Sequence, residues 1–242
     1  MVQAYKQARV LLMVVALAAI AVGCGGSKSS GGAAAFDMTK AQAALDKIDN
    51  YKFSMAMKGA YWDTQLSPLS SLGLDTSNGY TMSGTIITKP QKAADIQLLT
   101  MHIIEVGGTD YVATDSAGPF ISAPSSGTSM ADKMAPATFL GGMMSGFNGA
   151  GLRSVGDETK NGVAATHYTA PNSDSVNKQL DSQFDVTGGS WAVDVWVAKD
   201  GGYPISIVIT ATAAGAQAFN FSLDISNIND ATNTVVAPTN VQ

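Results

Sequence analysis

Few side chains in this sequence have the type and spacing needed for chemistry. His102 lies in a run that alternates like a strand, and His167 stands between Thr166 and Tyr168. An imidazole can act as a general base, but a lone histidine in a strand is more commonly a hydrogen-bonded residue of the sheet. We therefore expect both histidines to be structural. A buried pair of His167 with a carboxylate would instead favour catalysis.

Two short patterns resemble nucleophile motifs but lack the partners that such motifs need. Residues 127–131, GTSMA, lack the final glycine of a nucleophile elbow. Ser175 and Lys178 fit S-x-x-K, but the KTG and SDN segments of penicillin-binding enzymes are missing. The sequence has no HExxH, CxxC or Walker glycine loop. We predict a protein that is not an enzyme and that needs no cofactor or metal.

The amino-acid composition limits the classes of partner and of metal or disulfide site that this protein can have. The 242 residues are 45% hydrophobic and 14% charged, with a formal net charge of -5, so the chain should fold around a sizeable core. No block of basic residues is present, which argues against a nucleic-acid partner. One cysteine cannot form an internal disulfide, and two histidines leave little material for a zinc site.

The N-terminal segment predicts a signal peptide followed by a lipid anchor. Two basic residues precede an apolar run at 10–22, and Gly23 stands immediately before Cys24, so residues 1–23 read as a signal peptide. Thirteen apolar residues are too few for a membrane span, which takes about 20. Residues 21–24, AVGC, resemble the bacterial lipobox, with alanine where leucine is usual. Residues 24–35 would then be the lipidated cysteine and a flexible Gly/Ser/Ala tether.

Acylation of Cys24 would fix the location of the protein. Two or more acyl chains give stable membrane attachment, so we expect a lipid-anchored protein on the extracytoplasmic face of the cell membrane. The alternative is an ordinary secreted protein that is cut near Gly23, in which Cys24 has no special role.

Hydrophobic periodicity predicts one domain over residues 36–242. Apolar residues at helical spacing indicate helices at 39–50, 136–147 and 173–184, the last capped by Ser173. Period-two alternation indicates strands at 51–58, 80–88, 94–105, 110–114, 152–159, 162–170, 190–198, 203–213 and 218–228, and residues 62–79 read as a long loop. Short connections between the strands favour an antiparallel meander. We predict an α+β fold: a curved antiparallel sheet, or half-barrel, with short helices packed on its concave face.

Several segments, taken in order, resemble one family of bacterial lipoproteins. Residues 152–170, LRSVGDETKNGVAATHYTA, resemble the G-x-E-x-x-x-G-V-x-x-T-H-Y segment of the LppX/LprAFG lipoproteins, relatives of the LolA/LolB lipoprotein carriers. Residues 193–205 are similar to the family's hairpin, although Ala198 and Lys199 replace its usual acidic turn. The last strand ends in VVAP at 235–238, as the resemblance requires. The resemblance implies a half-barrel with a hydrophobic cavity that holds acyl chains.

The apolar residues of this fold are the candidate ligand site. Methionine suits a pocket that must adapt to variable chains, because it is unbranched and polarizable, although most buried methionines are plain core. On the strands we expect the cavity to be lined by Phe53, Met55, Met57, Met82, Phe219 and Phe221. On the helix at 136–147, weakened by three glycines, we expect a lid formed by Phe139, Leu140, Met143, Met144 and Phe147.

The function that follows is binding of a lipid or acylated ligand, which the protein carries or presents at the cell envelope. The membrane would be contacted through Cys24, and an envelope transport protein is a possible further partner. The alternative from another class is a structural or adaptor lipoprotein that binds a protein partner and has no lipid cavity. An enzyme acting on envelope glycans or lipids is the third alternative.

Overall fold

The structure, a computed structural model, is one antiparallel sheet with short helices. It describes residues 36–45, 47–67, 74, 76, 79–116, 118–125, 129–133 and 151–242. The strands are Asn50–Lys58 (β1), Tyr80–Ile87 (β2), Ala93–Leu98 (β3), Met101–Val106 (β4), Thr109–Ala113 (β5), Ile121–Pro124 (β6), Arg153–Lys160 (β7), Val163–Thr169 (β8), Ser190–Ala198 (β9), Pro204–Ala213 (β10) and Ala216–Ser226 (β11). The described helices are Met38–Leu45 (α1), Ala60–Gln65 (α2), the single turn Met130–Lys133 (α3) and Asp174–Phe184 (α4).

The eleven strands form a single sheet in which the first strand pairs with the last. The strand order is β6-β5-β4-β3-β2-β1-β11-β10-β9-β8-β7, and every neighbouring pair is antiparallel. Strands β6 and β7 are therefore the two edges of the sheet, although they follow each other in the sequence. The fold is mostly β, where an α+β fold was predicted. The predicted antiparallel sheet is confirmed, and its strands follow chain order in two runs, β1 to β6 and β7 to β11.

Alternation along the strands gives the sheet one dry face. We call the face that carries Met55, Met82 and Phe221 the inner face; on it, Met55 is paired with Met82, and the side chains are buried. On the opposite, outer face, Ser54 is exposed and Ser222 is half-buried. This is the pattern of an antiparallel sheet whose main core lies on one side.

Helices α2 and α4 pack on the inner face. Trp62 of α2 and Leu180 and Phe184 of α4 belong to the same buried hydrophobic cluster as the inner-face side chains. Ser173 caps α4, as predicted, because its hydroxyl accepts a hydrogen bond from the amide of Val176 at 3.4 Å.

A carboxylate fixes α4 to the sheet. Asp181 accepts hydrogen bonds from the indole Nε1 of Trp191 at 2.8 Å and from the amide of Gly189 at 3.0 Å. These bonds hold the helix beside the start of β9, over the inner face.

The C-terminal segment crosses the outer face. Val235 packs on a second, smaller cluster formed by Ile104, Ala113 and Phe120. The amide of Phe120 donates a hydrogen bond to the carbonyl of Asn240 at 3.0 Å. The segment thereby connects the middle of the sheet, where β11 ends, with the start of β6.

Five sequence predictions of local structure need correction. The last strand, β11, ends at Ser226, and the VVAP segment at 235–238, which was predicted to end it, lies outside the strands. The run at 94–105 is a hairpin, β3 and β4, and the predicted loop at 62–79 begins inside α2. The first helix ends at Leu45, not near residue 50, because the chain must turn there into β1. Strand β6 was not predicted, since its four residues are too few to show alternation and end in proline.

Candidate ligand-binding face of the sheet

A row of unbranched and γ-branched side chains crosses five strands of the inner face. Cross-strand pairing places Met55 beside Met82, Met82 beside Leu98, and Leu98 beside Met101, while Met55 also pairs with Leu223. We call these five residues the methionine row. Each is 4–5% exposed, so the row lies inside the folded domain.

The methionine row has the properties of a surface that adapts to an apolar ligand. Three of its five side chains are methionines, which have three rotatable bonds and can refit around chains of different shape. Neither a charge nor a hydrogen-bonding side chain interrupts the row. Its chemistry therefore suits hydrocarbon and offers no group for catalysis.

The other half of the inner face, over β9 to β11, is filled by aromatic rings of the protein. Phe219 is fully buried, and its ring centroid lies 4.7–5.3 Å from four other rings. We call the whole group the aromatic cluster: Tyr61, Trp62, Phe184, Trp191, Phe219 and Phe221. Tilted and edge-on contacts at these separations stabilise a core, so this half is occupied by the chain itself.

The predicted site residues fall into two groups. The six predicted on strands are buried on the inner face and belong to one hydrophobic cluster: Phe53, Met55, Met57, Met82, Phe219 and Phe221. The lid residues Phe139, Leu140, Met143, Met144 and Phe147 and the anchor Cys24 lie outside the described residues. Phe219 and Phe221 belong to the aromatic cluster, whereas Met55 and Met82 belong to the methionine row.

Sequence reasoning missed two polar side chains on the inner face. Glu105 is 5% exposed, and one of its carboxyl oxygens accepts a hydrogen bond from the Ser129 hydroxyl at 3.0 Å. Tyr51 is 2% exposed, and its hydroxyl has no hydrogen-bond partner among the described residues. Burial raises the pKa of this phenol well above its usual range, so the hydroxyl stays protonated. A tyrosine in an apolar alternation gave no signal of this.

His167 does pair with carboxylates, but its geometry does not suit catalysis. Its Nε2 lies 2.8 Å from an oxygen of Asp194, and its Nδ1 lies 3.3 Å from an oxygen of Glu158. The imidazole ring stacks on the indole ring of Trp196, with the two ring centroids 4.4 Å apart. Both nitrogens thus face carboxylate oxygens, and neither is placed to take a proton from a nucleophile. The cluster lies on the outer face, away from the methionine row.

His102 has a similar place nearer the other edge of the sheet. Its Nε2 lies 2.7 Å from an oxygen of Asp95, and its ring contacts that of Phe120 at 5.2 Å. Within the described ranges, no three His, Cys, Asp or Glu side chains are grouped so that they could hold a metal ion.

An open depression of about 240 Å³ lies on the outer face. Polar side chains of the outer face line it, among them Ser54, Thr81, Ser83, Gln97 and Ser222, and residues Met55, Met82 and Leu99 also border it. It occupies the face opposite the predicted ligand site, so it is not the cavity that the resemblance implies.

Comparison with solved structures agrees with the resemblance seen in the sequence. The chain is similar in structure to mycobacterial lipoproteins. Lipoprotein LppX from Mycobacterium tuberculosis is 14% identical with a TM-score of 0.42, and the match covers 81% of this chain and 94% of that one. LprF from Mycobacterium bovis is 12% identical with a TM-score of 0.47, over 84% and 95% of the two chains.

A third similarity is to a protein solved with a protein partner. In the Pseudomonas aeruginosa MucA/MucB complex, the match is 11% identical with a TM-score of 0.32, over 85% of this chain and 61% of that one. No family model and no curated protein matches the sequence. The predicted similarity to LppX and LprF is thus confirmed as structural similarity at low sequence identity.

Proposed function

We propose that this protein is a membrane-anchored envelope lipoprotein whose inner face binds acyl chains of lipids or acylated proteins and carries or presents them. The observation that carries the proposal is the methionine row, a continuous, buried and adaptable apolar surface across β11 and β1 to β4. In this proposal residues 36–242 form a single half-barrel domain, and the acyl chain lies along the row on its concave side. The lid at 136–147 remains a prediction from the sequence.

In this proposal the lipid anchor holds the domain at the membrane, and the methionine row binds the acyl chain. Residues 1–23 would be removed, and acylated Cys24 with the tether at 24–35 would hold the domain at the extracytoplasmic face of the membrane. Among the described residues, no helix combines the length and apolarity needed to cross a membrane. Metabolic labelling with a clickable palmitate analogue should mark the wild type and not Cys24→Ser; equal labelling of both would contradict the anchor.

The energetics of transfer suit a carrier. Burying a methylene from water gains about 0.8 kcal/mol, but an acyl chain that moves from bilayer to protein exchanges one apolar environment for another, so most of this gain cancels. Net affinity is then modest, and the chain can be released again without an energy source. The protein's task in this proposal is to shield the chain across the aqueous gap.

The test compares two neighbouring positions on opposite faces of β2. Protein lacking residues 1–23 and carrying Cys24→Ala is purified and analysed for bound lipid by native mass spectrometry. Met82→Trp fills the methionine row, whereas Ser83→Trp adds the same ring to the exposed outer face. We expect lipid with the parent protein and with Ser83→Trp, and its loss with Met82→Trp while circular dichroism shows an unchanged sheet. Equal lipid in all three proteins would place the ligand elsewhere.

A second candidate function, an adaptor lipoprotein that binds a protein partner, is favoured by the aromatic cluster. Because rings of the chain fill the inner face over β9 to β11, that half has no room for a ligand without rearrangement. Absence of lipid from the folded parent protein, combined with failure to bind added fatty acid, would favour this function over the first.

A further inference from the structure

The inner face carries a second row of residues that includes polar side chains, and beyond Glu105 its register continues to the half-buried Asp110 on β5. Register pairs Tyr51 with Ile86, Ile86 with Ala94, and Ala94 with Glu105, across β1 to β4. We call these four residues the polar row. It lies four residues along β1 from the methionine row, which corresponds to about 13 Å at the rise of a strand. The two rows thus cross the same strands at different heights of one apolar face.

Burial makes these polar groups unusual. Ile86 and Ala94, which separate them, are fully buried, and Tyr51 and Glu105 are 2% and 5% exposed. A buried hydroxyl without a partner destabilises the fold, and phenylalanine would fill the same place without that cost. The Tyr51 hydroxyl has no partner among the described residues, whereas the Glu105 carboxyl is bonded to Ser129 at the start of α3.

We propose that the polar row binds the hydroxyl of an amphiphilic ligand whose hydrocarbon chain lies on the methionine row; this inference rests on the proposed function. A hydroxyl can accept a hydrogen bond from the Tyr51 phenol and still donate one of its own, which suits a row that also carries a carboxyl, Glu105, three strands away. A bare hydrocarbon leaves the phenol unsatisfied. The ligand class is therefore a neutral lipid with a free hydroxyl, oriented with that group towards the start of β1.

The test uses two probes of equal chain length, hexadecanol and hexadecane. The full chain, purified as the cell processes it, is incubated with both in equal amounts, and the bound probes are extracted and quantified by gas chromatography. Tyr51→Phe removes only the phenolic oxygen. Tyr80→Phe is the matched control, because Tyr80 is equally buried on the inner face, at the opposite end of the β1–β2 strand pair.

The wild type and Tyr80→Phe should retain hexadecanol over hexadecane by about fivefold to tenfold, the effect of one buried hydrogen bond. In Tyr51→Phe the ratio should fall to about one while hexadecane binding is unchanged, which also shows that the inner face is intact. An unchanged ratio in Tyr51→Phe, or no preference in the wild type, would overturn the polar row. Failure of the wild type to bind either probe would instead contradict the proposed function.

Discussion

Replacing Phe219 and Met82 with the same residue, leucine, tests the division of the inner face into a structural half and a ligand-binding half. Phe219 contacts the rings of four other residues, and each such pair stabilises by about 0.5–1.5 kcal/mol beyond burial. Because these contacts share one ring and are not additive, we expect Phe219→Leu to lower the free energy of unfolding by about 2–4 kcal/mol. Met82→Leu conserves volume and should cost less than about 1.5 kcal/mol.

Urea unfolding followed by circular dichroism measures both variants, with the slope against urea as a check that the unfolded state has not changed. Exchange of a fluorescent fatty acid with vesicles is then measured on each protein. Phe219→Leu should destabilise the fold and leave exchange unchanged, whereas Met82→Leu should alter exchange and spare stability. If Phe219→Leu cost no more than Met82→Leu, the aromatic cluster would not be the structural half and the division would be wrong.

Three further predictions concern single residues. Tyr51→Phe should not lower the free energy of unfolding of the ligand-free protein, since it removes a buried, unpartnered hydroxyl; a loss above about 1 kcal/mol in urea unfolding would reveal a partner. Gly84→Ala should destabilise the sheet or abolish its cooperative thermal unfolding, because a Cβ at this position would overlap the carbonyl oxygen of Asp95. An unchanged melting temperature would contradict the close approach of β2 and β3. The hydrogen bond from Lys199 is the main reason why the pKa of Asp157 lies below its ordinary value of 3.8. The ionised carboxylate therefore stabilises the folded state above pH 3.8, and this stabilisation is lost as the pH falls through the lowered pKa. Asp157→Asn should make the free energy of unfolding depend less on pH in this acidic range, and an unchanged dependence would refute the pairing with Lys199.

The sequence was sufficient for most of the strands but not for how they turn and align. Alternation identified β1, β9 and β11 because each has one dry and one wet face. The β3–β4 hairpin was missed because its turn is Leu99-Thr100, in which leucine adopts a positive φ of 52° without any glycine, asparagine or proline to mark it. A turn of this kind is imposed by the pairing of its strands and leaves no local trace.

The candidate site depended even more on register. The sequence placed Met55 and Met82 among apolar residues, but it could not show that they stand side by side, because a long connection separates β1 from β2. Nor could it separate the methionines from Phe219, whose ring is enclosed by residues of α2, α4 and β9. Tyr51 and Glu105 are brought into one row only through three successive strand pairings, which the sequence does not show.

The most direct test of the central claim is to locate the acyl chain on the protein. A fatty acid with a diazirine in its chain is bound to the protein carrying Cys24→Ala, activated by light, and its adducts are assigned by tandem mass spectrometry. The account predicts adducts on peptides of β1, β2 and β4, at or beside Met55, Met82 and Met101, and their loss when unlabelled fatty acid competes. Adducts confined to outer-face residues such as Ser54 and Ser222, or labelling that competitor does not reduce, would contradict it.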